Sequence, residues 1–215
     1  MTVSTSNQTQ TMQAGPKVKG ATEVKPLWAT IVSTPEGYAA VAASSHGLVA
    51  CTWHHGDEQE AADSLSSILQ PLTTRKAFSA PQFLAPDEGL PPHLAAARVG
   101  LIAYGHGDYN ALRDLEIDGR ARTPFIARVH RAVQAIPSGS VLTYGDVARL
   151  AGSKGAARAV GQCMATNPLA PVVPCHRVIA ANGDLGGFGP GLPAKVRLLQ
   201  REGVNATLQG VKTQT

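Results

Sequence analysis

Residues 143–166, TYGDVARLAGSKGAARAVGQCMAT, decide how the second half of the chain is built. Val147, Ala148 and Leu150 give the segment from Thr143 to Ala151 an apolar stripe, and Gly152 breaks it. The four residues Gly152 to Gly155 then lead into a second short helix from Ala156 to about Thr166. Helix, short glycine-containing turn and helix is the helix-turn-helix arrangement, although helical hairpins that bind nothing share the pattern. The second helix carries Ala156, Ala157, Ala159 and Gly161 near its start, with Arg158 the only long side chain among them. Small residues let a backbone approach another surface closely. That serves either tight packing in the core, the simpler account of the pattern, or docking on DNA with Arg158 projecting into the duplex.

Upstream, Thr123-Pro124 reads as an N-cap followed by proline at the first helical position, and Phe125, Val129, Ala132, Val133 and Ile136 line one face of a helix ending near Pro137. Further back, Leu27 to Ser33, Tyr38 to Ser44 and Leu48 to Trp53 are β-rich runs separated by Thr34-Pro35-Glu36-Gly37 and Ser45-His46-Gly47, turn compositions that predict an antiparallel meander. Asp57 to Leu69 places Ala61, Ala62, Leu65, Ile68 and Leu69 at helical spacing, with Pro71 beyond its end. Five prolines make residues 71–92 a long loop, before a helix from His93 to Tyr104 that stops at Gly105. The expected class is α/β (α+β). A disordered tail over 1–25 precedes a 26–119 domain with a small antiparallel sheet and helices, and a mainly helical 120–215 domain carries the helix-turn-helix.

A chain of 215 residues with 43% apolar content can bury one large core or two modest ones. Its longest apolar runs fall far short of the roughly 20 residues that span a bilayer, so no membrane span is expected. The first 25 residues are rich in Thr, Ser and Gln and lack the apolar region of a secretory signal. Three cysteines, Cys51, Cys163 and Cys175, are too few and too irregularly spaced for a disulfide framework, which fits a reducing compartment, the cytoplasm. From Arg120 onward there are 12 Lys/Arg against 3 Asp/Glu, whereas residues 1–119 hold 7 against 12. The mild overall charge of +4 therefore hides a basic half that attracts polyanions.

The chemistry lies in Val172-Val173-Pro174-Cys175-His176-Arg177-Val178-Ile179, where three polar groups sit between β-branched apolar pairs, an expensive place for them unless they are used. A thiol attacks as its thiolate, and His176 is placed to act on it. In an extended strand neighbouring side chains point to opposite faces, so the pair must occupy a tight turn or communicate through a water. A histidine base needs an orienting acceptor, and only Asp146, Asp184 and Glu202 are acidic in this half. Glu202 closes a basic amphipathic helix, Pro193 to Glu202, with Val196, Leu198 and Leu199 inward; a carboxylate there opposes the helix dipole unless something positive meets it. Pro168, Pro171 and Pro174 with Asn167 present the cysteine rigidly. Cys51, His54 and His55 lie close together, but no second Cys/His pair completes a four-ligand site, and no metal is expected.

From Thr123-Pro124-Phe125 to Glu202-Gly203 the chain resembles the O6-alkylguanine-DNA alkyltransferases. The resemblance rests on Thr143-Tyr144-Gly145, Gly155-Ala156-Ala157-Arg158-Ala159-Val160-Gly161, Asn167-Pro168, Pro174-Cys175-His176-Arg177-Val178 and Leu198-Leu199 with Glu202, in that order. The strands around Thr34-Pro35 and Gly47-Leu48 look loosely like the family's N-terminal domain. The resemblance implies DNA repair by a single-use methyltransferase. Cys175 would take the alkyl group of a flipped-out O6-alkylguanine, chiefly O6-methylguanine and in addition O4-methylthymine, in an SN2 step with no cofactor. His176 would draw the thiol proton through a water, Glu202 would orient His176, and Asn167 would brace the turn. Tyr144 would donate to the leaving base, while Val178 and Gly189 backbone groups and Phe188 line the base pocket. Thr143, Tyr144, Ala157, Arg158 and Gly161 would meet double-stranded DNA through the minor groove, with Arg158 filling the vacated stack. A monomer in solution, with cooperative assembly on DNA, is the expected form.

The chain departs from the family pattern at His130, where Trp is common, at Phe188, where Tyr is usual, and at Pro190, where the lid normally has Gly. Two other functions compete. A lesion-binding relative senses alkylguanine without repairing it, but such relatives lack the acceptor cysteine that this chain has. A cysteine hydrolase using Cys175 and His176 would need an oxyanion site that nothing in the sequence suggests.

Overall fold

The computed structural model describes residues 24–212 apart from Lys76 and Pro86, so most of the expected tail lies outside the described residues. The meander is present as β1 (Trp28–Thr34), β2 (Gly37–Ser44) and β3 (Gly47–His55), all antiparallel. The expected loop over 71–92 is only partly a loop. Gln82–Phe83 forms β4, parallel to β1, and the sheet order is β3-β2-β1-β4. Gln82 and Leu84 donate their amides to the Leu27 and Ala29 carbonyls at 2.9 and 2.8 Å. The outer edge of β1 is thereby satisfied by a segment in which Pro81 falls just outside the pairing.

Helix α1 (Glu58–Thr74) also runs further than expected, straight through Pro71. Asp57 caps it, accepting the Glu60 amide at 2.8 Å. Pro71 deprives the Ser67 carbonyl of a donor, but Ser67 is exposed, so solvent can reach that carbonyl. Packing of Leu72 against the Leu65 and Leu69 cluster favours continuing the helix.

β2 is buried on both faces. Its alternating residues divide between two clusters: Ala40 and Ala42 pack with Ala61, Leu65 and Leu69 of α1, while Ala39, Val41 and Ala43 face Leu94, Ala97 and Leu101 of α2 (Pro92–Gly105). Alanine at these positions lets a helix approach closely from each side.

The second half contains α3 (Pro124–Gln134), α4 (Tyr144–Leu150), α5 (Ala157–Ala165) and α6 (Leu192–Arg201), with short parallel strands β5 (Leu142–Thr143) and β6 (Val178–Ile179). A hairpin, β7 (Ala206–Thr207) and β8 (Gly210–Val211), ends the described chain. Val129, Val133, Val147, Val160, Val173 and Val178 join Val41, Leu48 and Leu101 in one continuous core. The free edge of β3 is covered by two segments of chain. Leu48 exchanges amide bonds with Glu116 and Asp118, and Cys51 donates to the Pro168 carbonyl at 2.8 Å. The sheet thus grips the loop that leads to Cys175, which makes it a platform for the site.

Candidate active site

Cys175, His176 and Arg177 form a 3-10 turn, which removes the adjacency problem of an extended strand. The turn is pinned from both sides. Cys175 donates its amide to the Val173 carbonyl at 2.8 Å, and the Asn167 side chain donates to that same carbonyl at 2.8 Å while accepting from the Leu169 amide at 3.1 Å. Asn167 therefore braces the turn, and Cys175 stays half-buried at its tip.

Behind the cysteine lies a buried ionic network. His176 Nε2 is 2.8 Å from Glu202 Oε1; Arg177 donates Nε to Glu202 Oε2 and a terminal nitrogen to Oε1, each at 2.8 Å. Arg177 also donates to the Ile136 and Tyr109 carbonyls at 2.6 and 2.8 Å. Glu202 is the C-cap of α6 rather than part of its last turn, and Arg177 supplies the positive partner that the helix dipole denies it. Burial alone would raise the Glu202 carboxyl, but hydrogen bonds from His176 and Arg177 hold it below its ordinary value. Burial keeps the His176 imidazole below 6.5 in spite of Glu202's opposing pull, so the ring is neutral at neutral pH. Since the carboxylate can only accept, Nε2 carries the hydrogen, and Nδ1 keeps a lone pair.

Burial likewise raises the Cys175 thiol; the Asn167 side chain, the Lys195 charge and backbone amides pull it back down without reversing the shift. Cys175 therefore rests as a thiol rather than a preformed thiolate. Lys195 is fully buried on α6 and donates to the Val178 and Leu185 carbonyls. Burial pushes its ammonium down to about 8, and Cys175 pulls it the other way. Sequence reasoning missed both Lys195 and the supporting role of Arg177. A usable signal existed for the lysine, since it stands on the same helical face as Val196 and Leu199.

Tyr144 opens α4, half-buried; burial and then Cys175 raise its phenol, which keeps it a donor. Gly186 packs against that hydroxyl so closely that a Cβ would lie 2.7 Å from it, and its φ is +67°. Phe188 places its ring edge-on to His176 at 6.5 Å, and a turn closed by the Gly191 amide on the Phe188 carbonyl at 2.9 Å contains Pro190. A cavity of about 640 Å³ is lined by Cys175, His176, Asn167, Phe188, Gly189 and Pro190, together with His55, weighed in the sequence only as a metal ligand, and Trp53 and Tyr104, which sequence reasoning had not singled out. Tyr144 and Val178 lie outside that lining. Val178 is buried, its amide bonded to the Cys175 carbonyl and its own carbonyl to Lys195.

In the helix-turn-helix, Gly152 and Gly155 take φ values of +70° and +88°, which the tight turn requires. Thr143 caps α4 reciprocally with Asp146: its hydroxyl accepts the Asp146 amide at 3.1 Å and donates to the carboxylate at 2.7 Å. Leu150 departs from the expected stripe and is 62% exposed. A Cβ at Gly161 would meet nothing within 4 Å, so this glycine is not explained by packing inside the protein. Ala157 is half-buried, and Arg158 is exposed with no hydrogen bond or ion pair to another described residue. The described residues thus supply a small-residue surface from which one cation projects.

Residues 124–204 match the model of the 6-O-methylguanine DNA methyltransferase DNA-binding domain. Over 112 residues the chain is 47% identical to a methylated-DNA–protein-cysteine methyltransferase of Mycolicibacterium paratuberculosis, covering 52% of this chain and 67% of that one. In other relatives the match spans as little as 47% of their length. The fold is similar to that of the Mycobacterium tuberculosis protein OGT solved in complex with DNA (TM-score 0.56, 30% identity, 81% of this chain and 91% of that one). It is also similar to the O6-methylguanine-DNA methyltransferase of Pyrococcus kodakaraensis (TM-score 0.59, 26% identity, 82% and 99%).

Proposed function

The chain belongs to the 6-O-methylguanine DNA methyltransferase family, and on that premise we propose that it repairs alkylated DNA by transferring the alkyl group of O6-alkylguanine irreversibly to Cys175. The observation that carries this reading is the half-buried cysteine on a braced turn, backed by a neutral histidine and a buried Glu202–Arg177 pair.

In this reading the thiol proton passes through a water to His176 Nδ1, and Sγ attacks the alkyl carbon. The S–C bond forms as the C–O6 bond breaks, and its electron pair moves into the guanine, which is finally protonated. Tyr144 donates a hydrogen bond to the base as charge develops on it, and Glu202 stabilises the imidazolium. General-base action of this kind contributes about 10²–10⁴ in rate. The thioether has no route back, so each molecule acts once.

The helix-turn-helix meets double-stranded DNA from the minor groove, where the open Gly161 surface permits close approach and Arg158 fills the space left by the flipped base. Flipping costs a few kcal/mol, less for a weakened, alkylated pair. The protein acts as a monomer in the cytoplasm and assembles cooperatively along DNA.

The test is incubation with duplex DNA containing O6-methylguanine, followed by intact mass and peptide mapping. One methyl group per molecule on Cys175, absent in Cys175→Ala, is expected. DNA binding without transfer would instead assign a lesion sensor, and repeated turnover of an ester a hydrolase. O4-methylthymine in the same duplex is expected to react more slowly.

A further inference from the structure

A second space lies behind the segment that braces Cys175. Asn167 lines the cavity beside the cysteine, whereas its neighbours Thr166 and Pro168 line a separate groove of about 480 Å³ between α1 and the start of α3. That volume is within the roughly 300–1,000 Å³ of pockets that hold small molecules. Alkyl transfer as described above does not use it.

The groove joins an apolar wall to an excess of positive charge. Ile68, Pro71 and Leu72 of α1 and Ile126 of α3 line it, none of them buried. Arg75, Arg120 and Arg122 line it too, and among the described residues no Asp or Glu does. Arg120 is already paired, donating to the two oxygens of Asp118 at 3.0 and 3.2 Å. Arg122 is half-buried and has no carboxylate bonded to it among the described residues: its terminal nitrogens donate to the Ala121 and Val49 carbonyls at 3.1 and 2.7 Å. Burial lowers its guanidinium below its ordinary value, and the Asp118 charge offsets this only in part. Arg75, exposed at the carboxyl end of α1, forms no ion pair with another described residue.

One buried carboxylate therefore stands against three cations. The amino end of α3 meets the same space through Thr123 and Ile126, and its dipole adds to the preference for an anion. A guanidinium fork matches a carboxylate, and the uncovered apolar side chains beside it gain from burial under an aliphatic body. We propose that this groove binds a small carboxylate carrying an apolar body of several carbons, held by Arg122 and Arg75. No covalent step is involved, and the site does not depend on Cys175 accepting an alkyl group.

The test is titration of the full chain with octanoate, read by calorimetry and by NMR of the Leu and Ile methyl groups. Saturable one-to-one binding is expected, about tenfold tighter or more than for acetate, which lacks the apolar body, or for octan-1-ol, which lacks the charge. Methyl shifts should centre on Leu72 and Ile126. In Arg122→Gln the affinity should fall about tenfold. Arg122 also ties β3 to the chain before α3, so two variants that leave its bonds intact serve if that one does not fold: Ile126→Trp, which fills the groove, and Arg75→Gln, on the surface. Both should bind octanoate more weakly. Absence of saturable binding, octan-1-ol binding as tightly as octanoate, methyl shifts confined to Leu198 in the cavity beside Cys175, or undiminished affinity in the folded variants would overturn the site.

Discussion

Glu202→Gln tests the buried network most directly. The side chains of Glu202, His176 and Arg177 are 1%, 3% and 3% exposed, so solvent screens none of their interactions. Glutamine keeps the shape but removes the charge and turns an NH₂ group towards a neighbouring donor. Arg177 is then left buried without a counter-charge, a situation that costs about 3–5 kcal/mol. For a chain of this size, with about 2–4 °C per kcal/mol, the melting temperature should drop by roughly 6–20 °C. Methyl transfer should slow by about 10²–10⁴ as His176 loses both its tautomer and its stabilising anion. Urea unfolding gives the free energy, thermal unfolding the melting temperature, and single-turnover mass spectrometry the rate. The pH dependence has a definite sign. The folded Glu202 carboxyl lies below its ordinary 4.5, so its stabilising contribution is complete above that value and drains away as pH falls through the native pKa. The gap between wild type and variant should therefore narrow only below about pH 4.5. Adding Arg177→Met should recover part of the loss, because the stranded cation goes with it. A stability gap under about 1 kcal/mol at pH 7.5, the size of an exposed pair, would refute the reasoning.

Three other substitutions probe separate parts of the molecule. Gly161→Ala adds a methyl that meets nothing within 4 Å and improves helix propensity, so stability should rise by about 0.5–1 kcal/mol while affinity for duplex DNA falls; unchanged affinity in a binding titration would remove α5 from the DNA surface. Gly186→Ala forces a Cβ to 2.7 Å from the Tyr144 hydroxyl at a φ of +67° and should slow transfer about tenfold or more, whereas Gly187→Ala, whose Cβ meets nothing, should not; equal effects on the measured rates would break the link between that glycine and Tyr144. Burial, and then the Arg122 charge, lowers the His130 imidazole from 6.5 to about 4, so the unfolded chain takes up a proton that the folded one refuses and stability falls as pH drops through that window. Between pH 7.5 and 5 this should cost about 2 kcal/mol in urea unfolding, and His130→Phe should lose that part of the acid sensitivity.

Local signals made much of this fold legible. Turn residues at 34–37 and 45–47 separate the strands, Thr123-Pro124 starts α3, and the glycines at 152 and 155 bound the turn of the helix-turn-helix. The errors came where distant partners decide. Pro71 reads locally as a stop, yet α1 continues because Leu72 packs on the core and the Ser67 carbonyl can turn to water. Gln82 and Phe83 carry little strand signal of their own and pair because β1 offers unsatisfied backbone. Cys175, His176 and Asn167 stand out within one short segment, and Glu202 is one of only three acids in its half. Arg177 and Lys195 look like solvated cations until the carbonyls of Tyr109, Ile136, Val178 and Leu185 converge on them. The cavity wall of Trp53, His55 and Tyr104 is formed by tertiary contact alone.

The two hidden cations and the one hidden anion make sense together. At rest the reacting pair is uncharged, since burial keeps Cys175 a thiol and His176 a neutral ring. The proton transfer proposed above would create a thiolate and an imidazolium inside the protein, a costly separation in a low-dielectric interior. Each new charge appears beside one of opposite sign that is already fixed: Lys195 acts on Cys175, and Glu202 is bonded to His176 at 2.8 Å. Arg177 holds Glu202 ionised and in place before the reaction starts. Lys195 and Glu202 therefore interact weakly with the neutral resting pair and strongly with the charged one. In the proposed reaction that difference, rather than the strength of either contact at rest, would lower the barrier. It also gives buried Lys195 and Glu202 a reason to remain where apolar residues would pack at lower cost.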